Sequence, residues 1–263
     1  MEIIVCVKQV LDPDLPPMKF SIDLRKNCVI PPEGMPPVMN PYDALAVEAA
    51  LRIKEQLGGK ITVISLGDPS KEEAVRKALA MGADEAVIIS ADSLDEYDGF
   101  AKAWLLSKAA KKIGAYDLIL CGRQAADWDL GVTGSIMAEY LGVPVVTRAK
   151  MIEVVDGKLT VERVTGNGNE TYQLGTPALI SVSSEMGQAR IPSGWGIIAA
   201  AKKQISQWTQ ADTGNDVGKV SGRNDLLRLY ASSQERVCAF IEGENTIEAA
   251  TRLAEIIADI GKR

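Results

Sequence analysis

The sequence predicts an α/β fold: a Rossmann-like, mostly parallel sheet with helices on both faces, an antiparallel hairpin extension and a C-terminal arm ending in a helix. Three observations point there. Short β-branched runs recur at residues 3–7, 61–65, 85–89, 118–120 and 143–147. Between them, residues 42–57, 70–81, 100–113 and 130–141 repeat apolar side chains at helical spacing, as in Ala46, Ala49, Ala50 and Ile53. After residue 148 the texture changes to alternating apolar and polar residues around Asp156-Gly157, a dipeptide that favours a two-residue hairpin turn. Alternating β and α units imply a parallel sheet covered on both sides, whose ligands sit beyond the carboxyl ends of the strands near a switch in strand order. Lys8, Ser65 and Gly122 to Gln124 are expected at that end.

A Pro-rich stretch at residues 11–40 separates the first strand from the first helix. An insertion of this length without periodicity is either functional or disordered. Residues 20–24 can pair with 27–30 across Arg25-Lys26, so an ordered hairpin is expected, covering the ligand site. Asn40-Pro41 then opens the first helix, with Asn40 as N-cap and Pro41 at the first helical position. Further on, the strand at 118–120 runs into Gly122-Arg123-Gln124, and the helix at 130–141 follows a short acidic turn. A strand end facing a helix N-terminus exposes backbone N–H groups and the positive end of the helix dipole, which attract phosphate. This segment reads as a nucleotide pyrophosphate cradle.

The antiparallel extension spans about 149–182, with strands at 150–155, 158–164 and 170–174 and a buried strand from Pro177. A short helix at 197–205 carries Lys202-Lys203 near its end, and residues 207–234 have the Gly-, Asp- and Ser-rich composition of a linker or arm. Residues 246–260 form an amphipathic helix capped by Asn245 or Thr246, with Ile247, Ala250, Leu253, Ala254 and Ile257 on one face. That helix either docks on a partner or folds back on its own sheet. The chain thus divides into a nucleotide-binding α/β domain at 1–206 and an arm at 207–263.

Composition narrows the function. The balance of 29 basic against 35 acidic residues excludes a sequence-independent nucleic-acid binder, which needs a basic stripe. The opening Met-Glu-Ile-Ile-Val-Cys-Val has neither the charged start of a signal peptide nor the length of a membrane span, so a cytoplasmic protein without stable membrane insertion is expected. Cys6, Cys28, Cys121 and Cys238 make no CxxC pair, and three of them sit in apolar runs that suit buried small hydrophobes. The chain has no histidine, which removes the commonest general base and the commonest transition-metal ligand. Neither a catalytic residue nor a metal site is expected, and redox or transfer chemistry would fall to a bound cofactor.

Several segments together resemble the β subunit of electron transfer flavoproteins over nearly the whole chain. They are Val5-Cys-Val-Lys-Gln-Val, Met39-Asn-Pro-Tyr-Asp before a Val-Glu-Ala-Ala helix, Ala78-Leu-Ala-Met-Gly-Ala-Asp-Glu-Ala, Gly122-Arg-Gln-Ala with Thr133-Gly134, Lys158-Leu-Thr-Val-Glu-Arg and Ala201-Lys-Lys-Gln-Ile. The resemblance implies a Rossmann-like domain that pairs with an α subunit, and a C-terminal arm, residues 212–263, that packs on that subunit. It maps the family's adenine-nucleotide site onto Cys6, Asn40, Pro41, Tyr42, Asp43, Leu66 and the stretch from Gly122 to Thr133. Within that stretch Gly122 would let the backbone approach the ligand or serve a structural turn. Gln124, Ala125 and the N–H groups near Val132 and Thr133 would donate to phosphate. Arg123 would neutralise the diphosphate, bond a flavin N5 or face solvent, and Asp127 and Asp129 would cap the following helix.

One branch of the family holds AMP at this site as structure, and another holds a second FAD and bifurcates electrons from NADH. Val-Lys-Gln-Val and Cys-Gly-Arg-Gln-Ala before Asp-Trp-Asp resemble the bifurcating branch, which implies FAD here, with AMP as the alternative. Ferredoxin and an acyl-CoA dehydrogenase or reductase-type flavoenzyme are then the implied acceptors. Residues 191–200 resemble the family's recognition loop, with Ile191, Pro192, Gly194, Trp195 and Ile197 as docking residues. Gly194 stands where the family often has leucine, and Trp195 beside it is the expected replacement anchor. Two rivals share a related core. A nucleotide-sensing regulator of the universal-stress type would be shorter and lack the extension and arm. An adenine nucleotide α-hydrolase-type ligase would carry a Ser-Gly-Gly-x-Asp-like loop where this chain has Val7-Lys-Gln-Val.

Overall fold

A computed structural model of the chain describes residues 1–69, 72–91, 98–214, 224, 226–230 and 238–260. The elements run β1 (Glu2–Cys6), β2 (Gln9–Val10), β3 (Ser21–Asp23), β4 (Cys28–Ile30), β5 (Val38–Met39), α1 (Pro41–Leu57), β6 (Lys60–Leu66), α2 (Glu73–Met81), β7 (Glu85–Ser90), α3 (Gly99–Ile113), β8 (Leu118–Gly122) and α4 (Thr133–Leu141). There follow β9 (Val145–Val155), β10 (Lys158–Thr165), β11 (Gly168–Leu174), β12 (Ala178–Val182), α5 (Gly194–Lys202), β13 (Ser206–Thr209) and α6 (Thr246–Ile260). The chain forms two compact units, Met1–Leu229 and Tyr230–Arg263.

The first unit is built on a nine-stranded sheet of order β11-β10-β9-β12-β8-β1-β6-β7-β13. From β9 through β13 every neighbouring pair is parallel, and β10 and β11 extend the β9 edge antiparallel. The chain steps outward from β1 through β6 and β7, then returns by α3 to β8 on the other side of β1. Strand order therefore switches between β1 and β8, the place where α/β sheets open a crevice at their carboxyl ends.

Side chains alternate across the strands, and the two faces bury different helices. Ile3 and Val5 of β1 lie in one core with Ala46 and Ala50 of α1 and Ala78 of α2. Ile4 and Cys6 lie in the other with Ala103 and Leu106 of α3 and Met137 of α4. The many alanines on α1 and α3 let these helices sit close on the sheet, which brings the start of α1 to the crest.

Several expectations change in detail. The strand at 143–147 and the first hairpin strand at 150–155 are one strand, β9. Arg148 takes a left-handed φ of 60° near its middle, and the register against β12 slips there, so one strand serves a parallel partner first and an antiparallel one after. At the β9–β10 turn Asp156 and Gly157 both have positive φ, 50° and 74°, as the dipeptide predicts. Residues 206–209, expected within or beside a core-less linker, pair with β7 as β13, and Trp208 packs on the α3 side with the Lys112 amine 4.3 Å from its ring centroid.

The short helix begins earlier than its apolar spacing suggests. Ser193 accepts from the Gly196 N–H at 3.1 Å and so caps α5 from Gly194. A Cβ on Gly196 would stand 2.4 Å from the Ala80 carbonyl oxygen, so this glycine is what lets α5 approach α2. Of the four cysteines only Cys6 and Cys121 are buried; Cys28 lies on the exposed face of β4 and Cys238 is exposed as well. The expected helix start at Ser70 and half of the linker at 207–234 lie outside the described residues. Among the described residues, no helix is long and apolar enough to cross a membrane.

Candidate functional site at the crest of the sheet

The crest between β1 and β8 is organised by the first turn of α1. Asp43 is buried, and its carboxylate spans the switch in strand order: one oxygen accepts from the Lys8 N–H at 2.8 Å and the other from the Gly122 N–H at 3.0 Å. These two N–H groups lie where β1 and β8 end, past the ladder that would otherwise pair them. Burial is the dominant influence on Asp43 and pushes its carboxyl up to about 7, against the hydrogen bonds from Lys8, Asn40 and Gly122 that favour the ion.

Asn40 stands at the N-cap position of α1, as expected, but its side chain makes no cap hydrogen bond there, a correction to the expected capping role. The amide instead reaches across to the loop after β8, donating to the Gln124 carbonyl at 2.9 Å and accepting from the Ala126 N–H at 3.2 Å. Pro41 follows at the first helical position, as expected. Gly122 has a role in the fold at the same place. A Cβ there would lie 2.4 Å from an Asp43 oxygen and 2.6 Å from the Tyr42 Cβ, so the missing side chain makes room for α1.

Charges in the loop are matched within the chain. Lys8 pairs with Asp127 at 2.5 Å, and the Gln124 side chain donates to Asp129 at 2.7 Å. Asp127 and Asp129 therefore do not cap the helix, and no side chain hydrogen-bonds at the N-terminus of α4. That helix starts at Thr133, later than expected, because Asp129 and Gly131 take left-handed φ of 51° and 64° and hold residues 129–131 out of the helix. Its first turn lies against β8, where a Cβ on Gly134 would meet the Cys121 sulfur at 2.7 Å. Arg123 is steadied on two sides, its guanidinium 5.3 Å from the Tyr42 ring centroid and its Nε donating to Gln124 at 2.9 Å.

Asn40, Tyr42, Asp43, Gly122, Arg123, Gln124 and Asp127 thus meet in one linked group at the crest. Cys6 and Leu66 end their strands on the opposite face, in the core that α4 covers. Burial pushes the thiols of Cys6 and Cys121 up, Cys121 to about 12, so neither is a ready nucleophile. Ala125 accepts from the Asp129 N–H at 2.9 Å, and Val132 and Thr133 open α4. The crest offers main-chain N–H donors at an uncapped helix start beside a single steadied guanidinium. Among the described residues, no group of acidic, Cys or His side chains is placed to hold a metal.

The expected docking residues form a separate surface. Ile191 is 91% exposed and Trp195 82%, with Ile197 exposed beyond them and Pro192 and Gly194 between. The base of that surface is tied to α1. Arg190 binds buried Glu48 at 2.7 Å and Glu55 at 2.5 Å, both on α1, and its own N–H donates to Glu48. Burial works to raise the Glu48 carboxyl, but the hydrogen bonds from Arg190 and Arg52 prevail and hold it low. At the other end of α5, Arg76 of α2 donates to the Ala200 and Lys203 carbonyls at 2.7 and 2.6 Å. Sequence reasoning missed the roles of Lys8, Tyr42 and Arg190. A lysine directly after the first strand was a visible signal for the first; the other two depend on partners 81 and more residues away and left no local trace.

Residues 29–213 match the family described as the electron transfer flavoprotein domain. The electron transfer flavoprotein subunit beta of Thermoanaerobacterium thermosaccharolyticum is 38% identical over 259 residues, 97% of each chain. That of Clostridium acetobutylicum is 35% identical over 237 residues, 90% of this chain and 89% of the relative. A subunit of the caffeyl-CoA reductase-Etf complex of Acetobacterium woodii, CarD, is 39% identical over 215 residues, 81% of this chain and 80% of CarD.

Proposed function

Because the chain belongs to the electron transfer flavoprotein family as a β subunit, we propose that it binds FAD at the crest and, with its α subunit, moves electrons in the cytoplasm between NADH, ferredoxin and an acyl-CoA dehydrogenase or reductase-type flavoenzyme. The observation that carries this reading is the crest itself, where acidic side chains are consumed by Lys8 and Gln124 while the first turn of α4 has no side-chain cap. An anionic diphosphate suits such a site. Main-chain N–H groups of Gln124, Ala125, Val132 and Thr133, with the Thr133 hydroxyl, hold it, and Arg123 either neutralises it or reaches the flavin. Backbone groups at Cys6 read the adenine edge, with Pro41 and Leu66 as walls.

A bound flavin would supply the redox chemistry, the capacity for both hydride and single-electron transfer. The chain's own part is to bind, orient and shield. Asn40 and Asp43 hold the loop and strand ends in place, and neither needs to touch the ligand. The likeness to CarD, named for a reductase complex, supports a bifurcating assembly and an acyl-CoA-type partner. That partner docks on Ile191, Pro192, Gly194, Trp195 and Ile197, with Trp195 as the anchor. Helix α6 leaves Ile247, Leu253 and Ile257 exposed, which supports an arm that packs on the α subunit.

Isolating the complex with its α subunit and counting nucleotides released on denaturation tests the assignment. Two FAD per heterodimer are expected; one FAD with one AMP defeats the bifurcating reading.

A further inference from the structure

The Pro-rich insertion forms a hairpin, β3 with β4. Asp23 shapes its turn, accepting from the N–H groups of Arg25 and Lys26 at 2.9 and 3.0 Å. Asn27 then takes a left-handed φ of 53°, a conformation asparagine tolerates better than most residues. Its side-chain amide makes a two-point contact with a segment two hundred residues away in sequence. The Nδ2 donates to the Leu226 carbonyl at 3.0 Å, and the Oδ1 accepts from the Leu229 N–H. One amide thus meets the main chain through both its donor and its acceptor, as a neighbouring strand would.

A second tie lies just upstream. Asp98 caps α3 with one oxygen, which accepts from Phe100 and Ala101. Its other oxygen accepts from the Asn224 N–H at 3.1 Å. The chain is therefore held at 224 and again at 226–229, at the end of the first compact unit. Residues on this stretch and after it carry apolar side chains into solvent, among them Leu226, Leu227 and Phe240.

We propose that the Pro-rich insertion is a latch for the C-terminal arm, with Asn27 as its positioning residue. The hairpin fixes the point at which the chain leaves the α/β unit, and so where the arm begins its course. The latch stands on contacts within this chain; only its consequence for subunit association rests on the proposed function.

Amide hydrogen exchange on the full-length chain tests it, comparing wild type with Asn27→Gly and Asn27→Asp. Glycine keeps the left-handed backbone and removes the amide, whereas aspartate keeps the acceptor for Leu229 and loses the donor to Leu226. Exchange across residues 226–230 should rise roughly tenfold in Asn27→Gly and less in Asn27→Asp, with β8 unchanged in both. In the heterodimer, Asn27→Gly should also dissociate faster with its nucleotide content intact. Unchanged exchange at 226–230 in Asn27→Gly, or an equal rise in β8, overturns the latch. A wrong nucleotide count strikes the functional reading alone.

Discussion

The crest and the exposed apolar faces of α5 and α6 differ in how far the chain completes them by itself. At the crest, Asn40, Asp43, Lys8 and Asp127 each find their partners within the chain, across spacings from 35 to 119 residues. On α5 and α6, Trp195, Ile197, Ile257 and their neighbours stand in solvent on helices that are otherwise well capped. Buried polar groups must be satisfied before folding is favourable, whereas an exposed apolar stripe is tolerable until a partner covers it. The polar groups of the crest are thus satisfied within the chain, whereas the apolar stripes of α5 and α6 stand exposed, as the proposed docking requires.

Substitutions at the crest should therefore act on the fold as well as on the ligand. Asp43→Ala leaves the N–H groups of Lys8 and Gly122 without acceptors, a loss of about 3 kcal/mol or more in chemical denaturation and of nucleotide with it. Gly122→Ala forces α1 away from β8 and should cost about 1–3 kcal/mol. If either variant keeps full stability, the crest is not the self-contained structure described above.

The opposite pattern is expected at Trp195. Trp195→Ala should weaken association with the proposed dehydrogenase-type partner by about 2 kcal/mol, measured by calorimetry, while thermal stability and nucleotide content stay unchanged. Unchanged affinity would remove Trp195 as the anchor. A loss of stability would move the residue from the interface side of the comparison to the fold side.

The smallest effect is a slope with pH. Burial raises the Asp43 carboxyl to about 7 in the folded chain, so between its unfolded value near 4 and about 7 the folded state holds a proton that the unfolded state has lost. Its contribution to stability is complete below that window and is lost as pH rises through it. Asp43→Asn should flatten this part of the stability profile relative to wild type. Glu48 and Asp84, both held low, contribute in the opposite direction at acid pH and remain in both proteins.

The same comparison explains what could be read from the sequence. Strands such as Ile3 to Cys6 and helices such as α1 and α3 were legible because periodicity is local, and the Asp156-Gly157 turn because its residues demand left-handed backbone. The crest's position followed from strand ends. Its construction did not, since the bonds from Asn40 to the loop after β8 and the room that Gly122 leaves for α1 depend on partners about 80 residues away in sequence. The start of α5 was masked by Gly194 and Gly196, poor helix formers whose place is set by Ser193 and by contact with Ala80. Residues 206–209 gave too short a run to signal β13.

The most direct test of the central claim is an experimental structure of this chain in complex with its α subunit. The nucleotide diphosphate should lie against the first turn of α4 and the loop after Gly122, bonded mainly to main-chain N–H groups, with Asp43 still bridging Lys8 and Gly122. A crest filled by side chains or by the partner chain, with the nucleotide elsewhere, would contradict it.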